Sequence, residues 1–201
     1  LSDLSKAENI YENFKKKNKG KKTDENIISL YEKVVKNLND GKLLRNCSFS
    51  NSEIKILKEF NLLTIKPQIY VCNVDENSII EGNDLSKQVE AFAKTKNIKV
   101  LNISAGIESE ISQIESIQEK NEFLSSIGLK ETSLSKLIKD GYDLLNLISF
   151  FTSGPKESKS WSCQTGTLAP DAGAKIHTDF KKGFIKAEVI SYSDFVEYKG
   201  E

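Results

Sequence analysis

Apolar residues recur at helical spacing through the first part of the chain: Leu4, Ala7, Ile10, Tyr11 and Phe14, then Ile27, Leu30, Tyr31, Val34 and Leu38. This period predicts two antiparallel helices within residues 3–46. Between them lies "KKKNKGKKTDEN", where Gly20 and Thr23 supply stop and start chemistry, and "NDGK" at 39–42 closes the second helix. The product is an αα-hairpin of coiled-coil-like pattern. Next, Ser50 stands three residues before Glu53. That spacing is a capping box, in which each side chain satisfies an orphan amide at the start of a helix.

The period then shortens. Pro67 excludes helix, and the apolar run that follows it predicts a strand at 68–72. "DLSKQVEAFAKT" at 84–95 reads as an amphipathic helix and "IKVLNIS" as a second buried strand. Strand, helix and strand at this spacing predict a βαβ unit with a parallel sheet. Further helical patterns run over 108–127 and 133–147. From Phe150 the character changes again: "FFTSGPKESKSWSC" alternates around a Gly-Pro turn and predicts a hairpin. "APDAGAKIHTDF" predicts one short helix and "GFIKAEVISYSDF" a strand, so this part reads as a small separate α+β module. There is no internal repeat.

Composition narrows the function classes. The 29 basic and 29 acidic residues cancel, so no global field drives the chain onto nucleic acid or an anionic membrane. No apolar run approaches the ~18 residues that span a bilayer, and no membrane partner is expected. Three cysteines, Cys47, Cys72 and Cys163, lack zinc spacing, and their odd number argues against a disulfide framework, which points to a reducing cytosol. Cys72 reads as a small hydrophobe on the first strand. The chain has no methionine and begins with Leu1, which predicts a segment of a longer protein.

Candidate chemistry gathers where the two predicted strands end. "IYVCNVDE" closes with Asn73-Val74-Asp75-Glu76, and "VLNISAGIE" carries Ser104-Ala105-Gly106. Ligands of α/β sheets bind outside the carboxyl ends of the strands. P-loop GTPases place Asn-Lys-x-Asp at such an end, the aspartate accepting two hydrogen bonds from guanine, and a Ser-Ala-Lys loop beside it. Here Val74 replaces the lysine and Glu76 the aspartate, which weakens the expectation of guanine selectivity. Taken alone, Asn73-x-x-Glu76 is a weak motif and more often a polar exit from a buried strand. One βαβ crossover separates the loops, so both would lie on one rim of the sheet.

Longer stretches carry a resemblance. "LLTIKPQIYVCNVDE", "DGYDLLNLISFFTSGPKES" and above all "GTLAPDAGAKIHTDFKKGFIKAEVISYSDFVEYKGE" are similar to the YchF subfamily of Obg-related P-loop NTPases. The resemblance implies an α/β fold: part of a P-loop NTPase-type parallel sheet with an inserted helical hairpin, then a β-grasp TGS domain. It divides the chain into the hairpin (1–50), the C-terminal part of the nucleotide-binding domain (51–130), a connecting helix (131–145) and a TGS domain (146–201), truncated at its end. It implies a cytoplasmic, ribosome-associated ATPase that prefers ATP to GTP, hydrolyses it slowly and uses Mg2+. Asn73, Val74 and Glu76 would read the base, with Ser104, Ala105 and Gly106 as the supporting loop.

One departure limits this. The chain has no Gly-x-x-x-x-Gly-Lys-[Ser/Thr] and no Asp-x-x-Gly switch ahead of the base loops. Phosphate and magnesium ligands are therefore expected upstream, and the segment alone should not hydrolyse ATP. The rival reading is a non-catalytic RNA- or protein-binding module with a vestigial nucleotide site.

Lys15, Lys16, Lys17, Lys19, Lys21 and Lys22 cluster at the predicted hairpin tip. They could neutralise phosphates of ribosomal RNA (50S or 70S) or simply keep a tip solvated. No aromatic residue is interleaved, which argues against base stacking. His177, the single histidine, has no nucleophile or phosphate loop beside it and reads as a packing or hydrogen-bonding residue. Phe150, Phe151 and Trp161 read as core of the last module.

Overall fold

The computed structural model describes residues 1–19, 24–154 and 156–200. The chain divides into two compact units, Leu1–Gln68 and Ile69–Glu201.

In the first unit, α1 (Ser2–Lys17) and α2 (Glu25–Asn39) pack through the predicted apolar stripes, burying Ala7, Tyr11, Leu30, Tyr31 and Val34. Phe14 meets Tyr31 edge-on, with ring centroids 4.7 Å apart, a favoured aromatic geometry. The predicted stop and start residues Gly20 and Thr23 lie outside the described residues. The observed cap is Asp24, whose carboxylate accepts from the Asn26 amide at 2.9 Å. Gly41, at φ 72°, turns the chain out of α2 in the left-handed region that glycine tolerates. The same core takes in α3 (Asn51–Phe60) through Leu57 and Phe60. This helix opens with the predicted capping box: Ser50 Oγ accepts from the Glu53 amide, and Glu53 accepts from the Ser50 amide. Asp3, only 7% exposed, ties the unit's ends together by accepting from the amides of Leu63 and Thr64 at 3.1 and 2.6 Å.

In the second unit, β1 (Ile69–Asn73) and β2 (Lys99–Ile103) pair in parallel, in register from Ile69 against Lys99 to Asn73 against Ile103. The crossover helix α4 (Asp84–Thr95) starts at an Asn83 cap. This is the predicted βαβ unit.

Beyond β2 four expectations are corrected. The single helix over 108–127 is two, α5 (Ala105–Gln113) and α6 (Ile117–Ser126). Ile114 is extended, and the Ser116 hydroxyl accepts from the Glu119 amide, so cap chemistry restarts the helix that periodicity alone would continue. A small core of Ile79, Ile107, Ile111 and Leu124 holds both helices. Helix α7 (Ser133–Leu144) follows and leads into the predicted hairpin of β3 (Leu147–Ser153) and β4 (Ser158–Gln164), paired antiparallel with Phe150 opposite Trp161.

The helix expected in "APDAGAKIHTDF" is likewise two, α8 (Ala169–Ile176) and α9 (Thr178–Lys182). His177 between them is extended, and its Nδ1 accepts from the Asp179 amide at 3.3 Å. The strand expected over "GFIKAEVISYSDF" has no partner among the described residues; Ile185 and Val189 are 91% and 87% exposed, and α10 (Tyr192–Glu197) occupies its far end. Alternation makes a strand only where a neighbouring edge takes its hydrogen bonds. Phe151 is also 59% exposed, resting against Tyr192 at 5.8 Å rather than inside a core, while Trp161 is half-buried. The fold is thus α/β, mostly helical with small sheets. Among the described residues no helix is long and apolar enough to cross a membrane.

Candidate functional site

Parallel pairing carries the ends of β1 and β2 to one rim, and three hydrogen bonds shape the loops there. The Val74 amide donates to the Ile103 carbonyl at 2.8 Å, extending the ladder by one residue. The Ala105 amide donates to Asn73 Oδ1 at 3.1 Å, clasping one loop to the other. Ser104 Oγ accepts from the Ile107 amide at 3.5 Å, capping α5 from within. Two of the orphan amides at the α5 N-terminus are thereby satisfied.

Burial sorts the six candidate residues into two groups. Val74 and Ser104 are 7% and 2% exposed, so their side chains support the loops from inside. Asn73, Glu76, Ala105 and Gly106 are exposed along the rim. Glu76 opens a 3₁₀ turn, Glu76–Ser78, whose geometry Asp75 fixes. Ser78 Oγ lies 2.8 Å from both Asp75 carboxylate oxygens, and the Ser78 amide donates to the Asp75 carbonyl at 3.0 Å. The Ser78 hydroxyl, chiefly, holds the Asp75 carboxyl below its ordinary pKa. The turn delivers Glu76 against the other loop: a Cβ added to Gly106 would stand 3.0 Å from Glu76 Oε1 and 3.9 Å from its Cδ. A carboxylate acceptor therefore lies directly beside the amide-donating start of α5.

The C-terminal YchF-GTPase family model, described as "Protein of unknown function (DUF933)", matches residues 147–201. Along the whole chain, the ribosome-binding ATPase YchF of Pasteurella multocida is 40% identical over 202 residues, and that of Escherichia coli O157:H7 is 38% identical. A solved structure, the YchF GTPase of Schizosaccharomyces pombe, superposes over 100% of the chain with a TM-score of 0.84 at 28% identity. The chain belongs to the YchF family. It spans about half the length of these relatives, 55% in each case.

Lys15, Lys16 and Lys17 form the exposed last turn of α1, followed by Lys19. There they also face the negative end of the helix dipole. Lys15 Nζ sits 3.8 Å from the Tyr11 ring centroid. Lys21 and Lys22 lie outside the described residues. His177 is exposed and occupied in capping α9, with Asp179 Oδ2 at 3.5 Å. Among the described residues no group of three or more His, Cys, Asp or Glu is placed to hold a metal ion.

Two contributors went unread in the sequence. Asp75 acts through Ser78, and the Asp-x-x-Ser spacing is a turn signal that was available. Glu108 accepts from the Ser133 amide at 2.6 Å, joining the first turn of α5 to the start of α7 across 25 residues. No local pattern announces that bond.

Proposed function

We propose that this chain is the base-reading part of a ribosome-associated P-loop ATPase that prefers ATP to GTP. The observation that carries the reading is the Glu76 carboxylate held beside the N-terminal turn of α5. Adenine presents an amino donor next to a ring-nitrogen acceptor, and an acceptor set close to amide donors complements that edge. Guanine offers two adjacent donors, which call for a carboxylate standing clear of the loop so that both its oxygens are used. Asn73 and Glu76 supply the polar contacts, Ala105 and Gly106 the loop surface, and Val74 and Ser104 the support beneath them. The relatives named ribosome-binding ATPases support an ATPase reading, while the solved neighbour is titled a GTPase.

Magnesium and the phosphates would be held by residues outside this chain, since its sequence contains no phosphate-cradling glycine loop. The segment alone is accordingly inactive as a hydrolase. Residues 1–50 would serve as the inserted hairpin, 51–130 as the end of the nucleotide-binding domain, 131–145 as a connecting helix and 146–201 as the TGS domain. Lys15, Lys16, Lys17 and Lys19, with Lys21 and Lys22, would neutralise ribosomal RNA phosphates in the cytosol. The test is competition of ATP and GTP for the full-length protein. Tighter ATP binding is expected, and a strong GTP preference would refute the assignment.

A further inference from the structure

We infer that Gly106 is a specificity-determining residue, because the space left by its missing side chain seats the Glu76 carboxylate at the rim. The inference rests on the base-reading role given to Glu76 above. Gly106 is the second residue of α5, and its φ is not positive, so the backbone does not require glycine. Alanine at a helical position is more favourable than glycine by about 1 kcal/mol. The helix is therefore weakened by a glycine that its own conformation does not call for.

The surroundings supply a reason. A methyl group on Gly106 would meet Glu76 Oε1 at 3.0 Å, tighter than about nine in ten real Cβ contacts, with Ser104 Oγ in ordinary contact at 3.8 Å. Ser104 is buried and bonded to the Ile107 amide, so it cannot retreat. Glu76 is exposed and ends in a flexible carboxylate, so it is the group that moves. It would have to give by a few tenths of an ångström. The acceptor would then leave the place where it pairs with an amino group beside a ring nitrogen. Glycine at 106 thus keeps the acceptor on the adenine side of the choice.

The experiment uses the full-length protein in five forms: unmodified, Glu76→Ala, Gly106→Ala, Glu76→Asp and Glu76→Asp/Gly106→Ala. Dissociation constants for ATP and GTP are measured by displacement of a fluorescent nucleotide, and thermal unfolding is recorded for each. Gly106→Ala is expected to lower the ATP:GTP affinity ratio about five-fold or more, the scale of one displaced hydrogen bond. Its unfolding temperature should be unchanged or raised, which a purely structural role would not give. In the Glu76→Asp background, where the shorter side chain no longer reaches position 106, the same substitution should add nothing. If Glu76→Ala collapses the ratio while Gly106→Ala leaves it within two-fold, the seat is overturned and the base-reading role stands. If Glu76→Ala leaves the ratio intact, the base-reading role itself falls.

Discussion

The clasp between Asn73 Oδ1 and the Ala105 amide allows a substitution pair that separates architecture from ligand contact. Asn73→Ala removes the acceptor and leaves the first amide of α5 to water. The bond is 3.1 Å long at an exposed rim, so its net worth is at the ordinary scale of about 1 kcal/mol rather than the larger cost of a buried orphan. For a protein of this size that corresponds to a fall of about 2–4 °C in unfolding temperature. Asn73→Asp keeps an oxygen in the same place and adds a negative charge at a helix N-terminus, which is favourable by about 0.3–1 kcal/mol. It should therefore unfold no earlier than the unmodified protein. Both variants lose the amide NH2, so both should bind nucleotide more weakly, by about ten-fold if that group donates to the base. Differential scanning fluorimetry on this chain and nucleotide titration of the full-length protein measure the two effects separately. Asn73→Asp unfolding as early as Asn73→Ala would refute the clasp.

Asp3 tests the first unit. Burial pushes its carboxyl upward, and the amides of Thr64 and Leu63 with the Lys6 ammonium outweigh it, holding the pKa below the ordinary carboxylate value. A lowered folded pKa gives stability that is full above the ordinary carboxylate value and lost as pH falls through the folded one. Urea unfolding should accordingly show Asp3→Asn less stable than the unmodified chain by about 1–2 kcal/mol at pH 7, the gap closing in acid; a gap that stayed constant to pH 2 would exclude this role. Glu108→Ala leaves the Ser133 amide, on a residue 3% exposed, without its acceptor, at a cost of about 1–3 kcal/mol. Hydrogen exchange at that amide should accelerate about ten-fold or more, and unchanged protection would show that α7 is held by other contacts. Charge reversal of Lys15, Lys16, Lys17 and Lys19 should weaken ribosome co-sedimentation and flatten its dependence on salt, whereas an unaltered salt slope would remove α1 from RNA contact.

What the sequence determined by itself is short-range. The stripes that build α1 and α2, the Ser50–Glu53 box, the βαβ succession and the Phe150–Trp161 hairpin are all encoded within a few turns of chain. Caps and amphipathic periods are interactions between near neighbours, so the residue types and spacing suffice to predict them. The breaks at Ile114 and His177 were also local, but apolar periodicity ran through them because a cap leaves the stripe intact on either side.

Tertiary structure decided the rest. Sequence placed Asn73 and Ser104-Ala105-Gly106 at strand ends, yet only the parallel register brings Asn73 Oδ1 onto the Ala105 amide 32 residues away and lays Glu76 over Gly106. Asp3 finds Leu63 and Thr64 across 60 and 61 residues in the same way. The alternating stretch before α10 marks the opposite case, in which a strand pattern waits on an edge that no described residue supplies. A hydrogen bond between distant residues depends on where the backbone has already been carried, and side-chain type alone holds no record of that path.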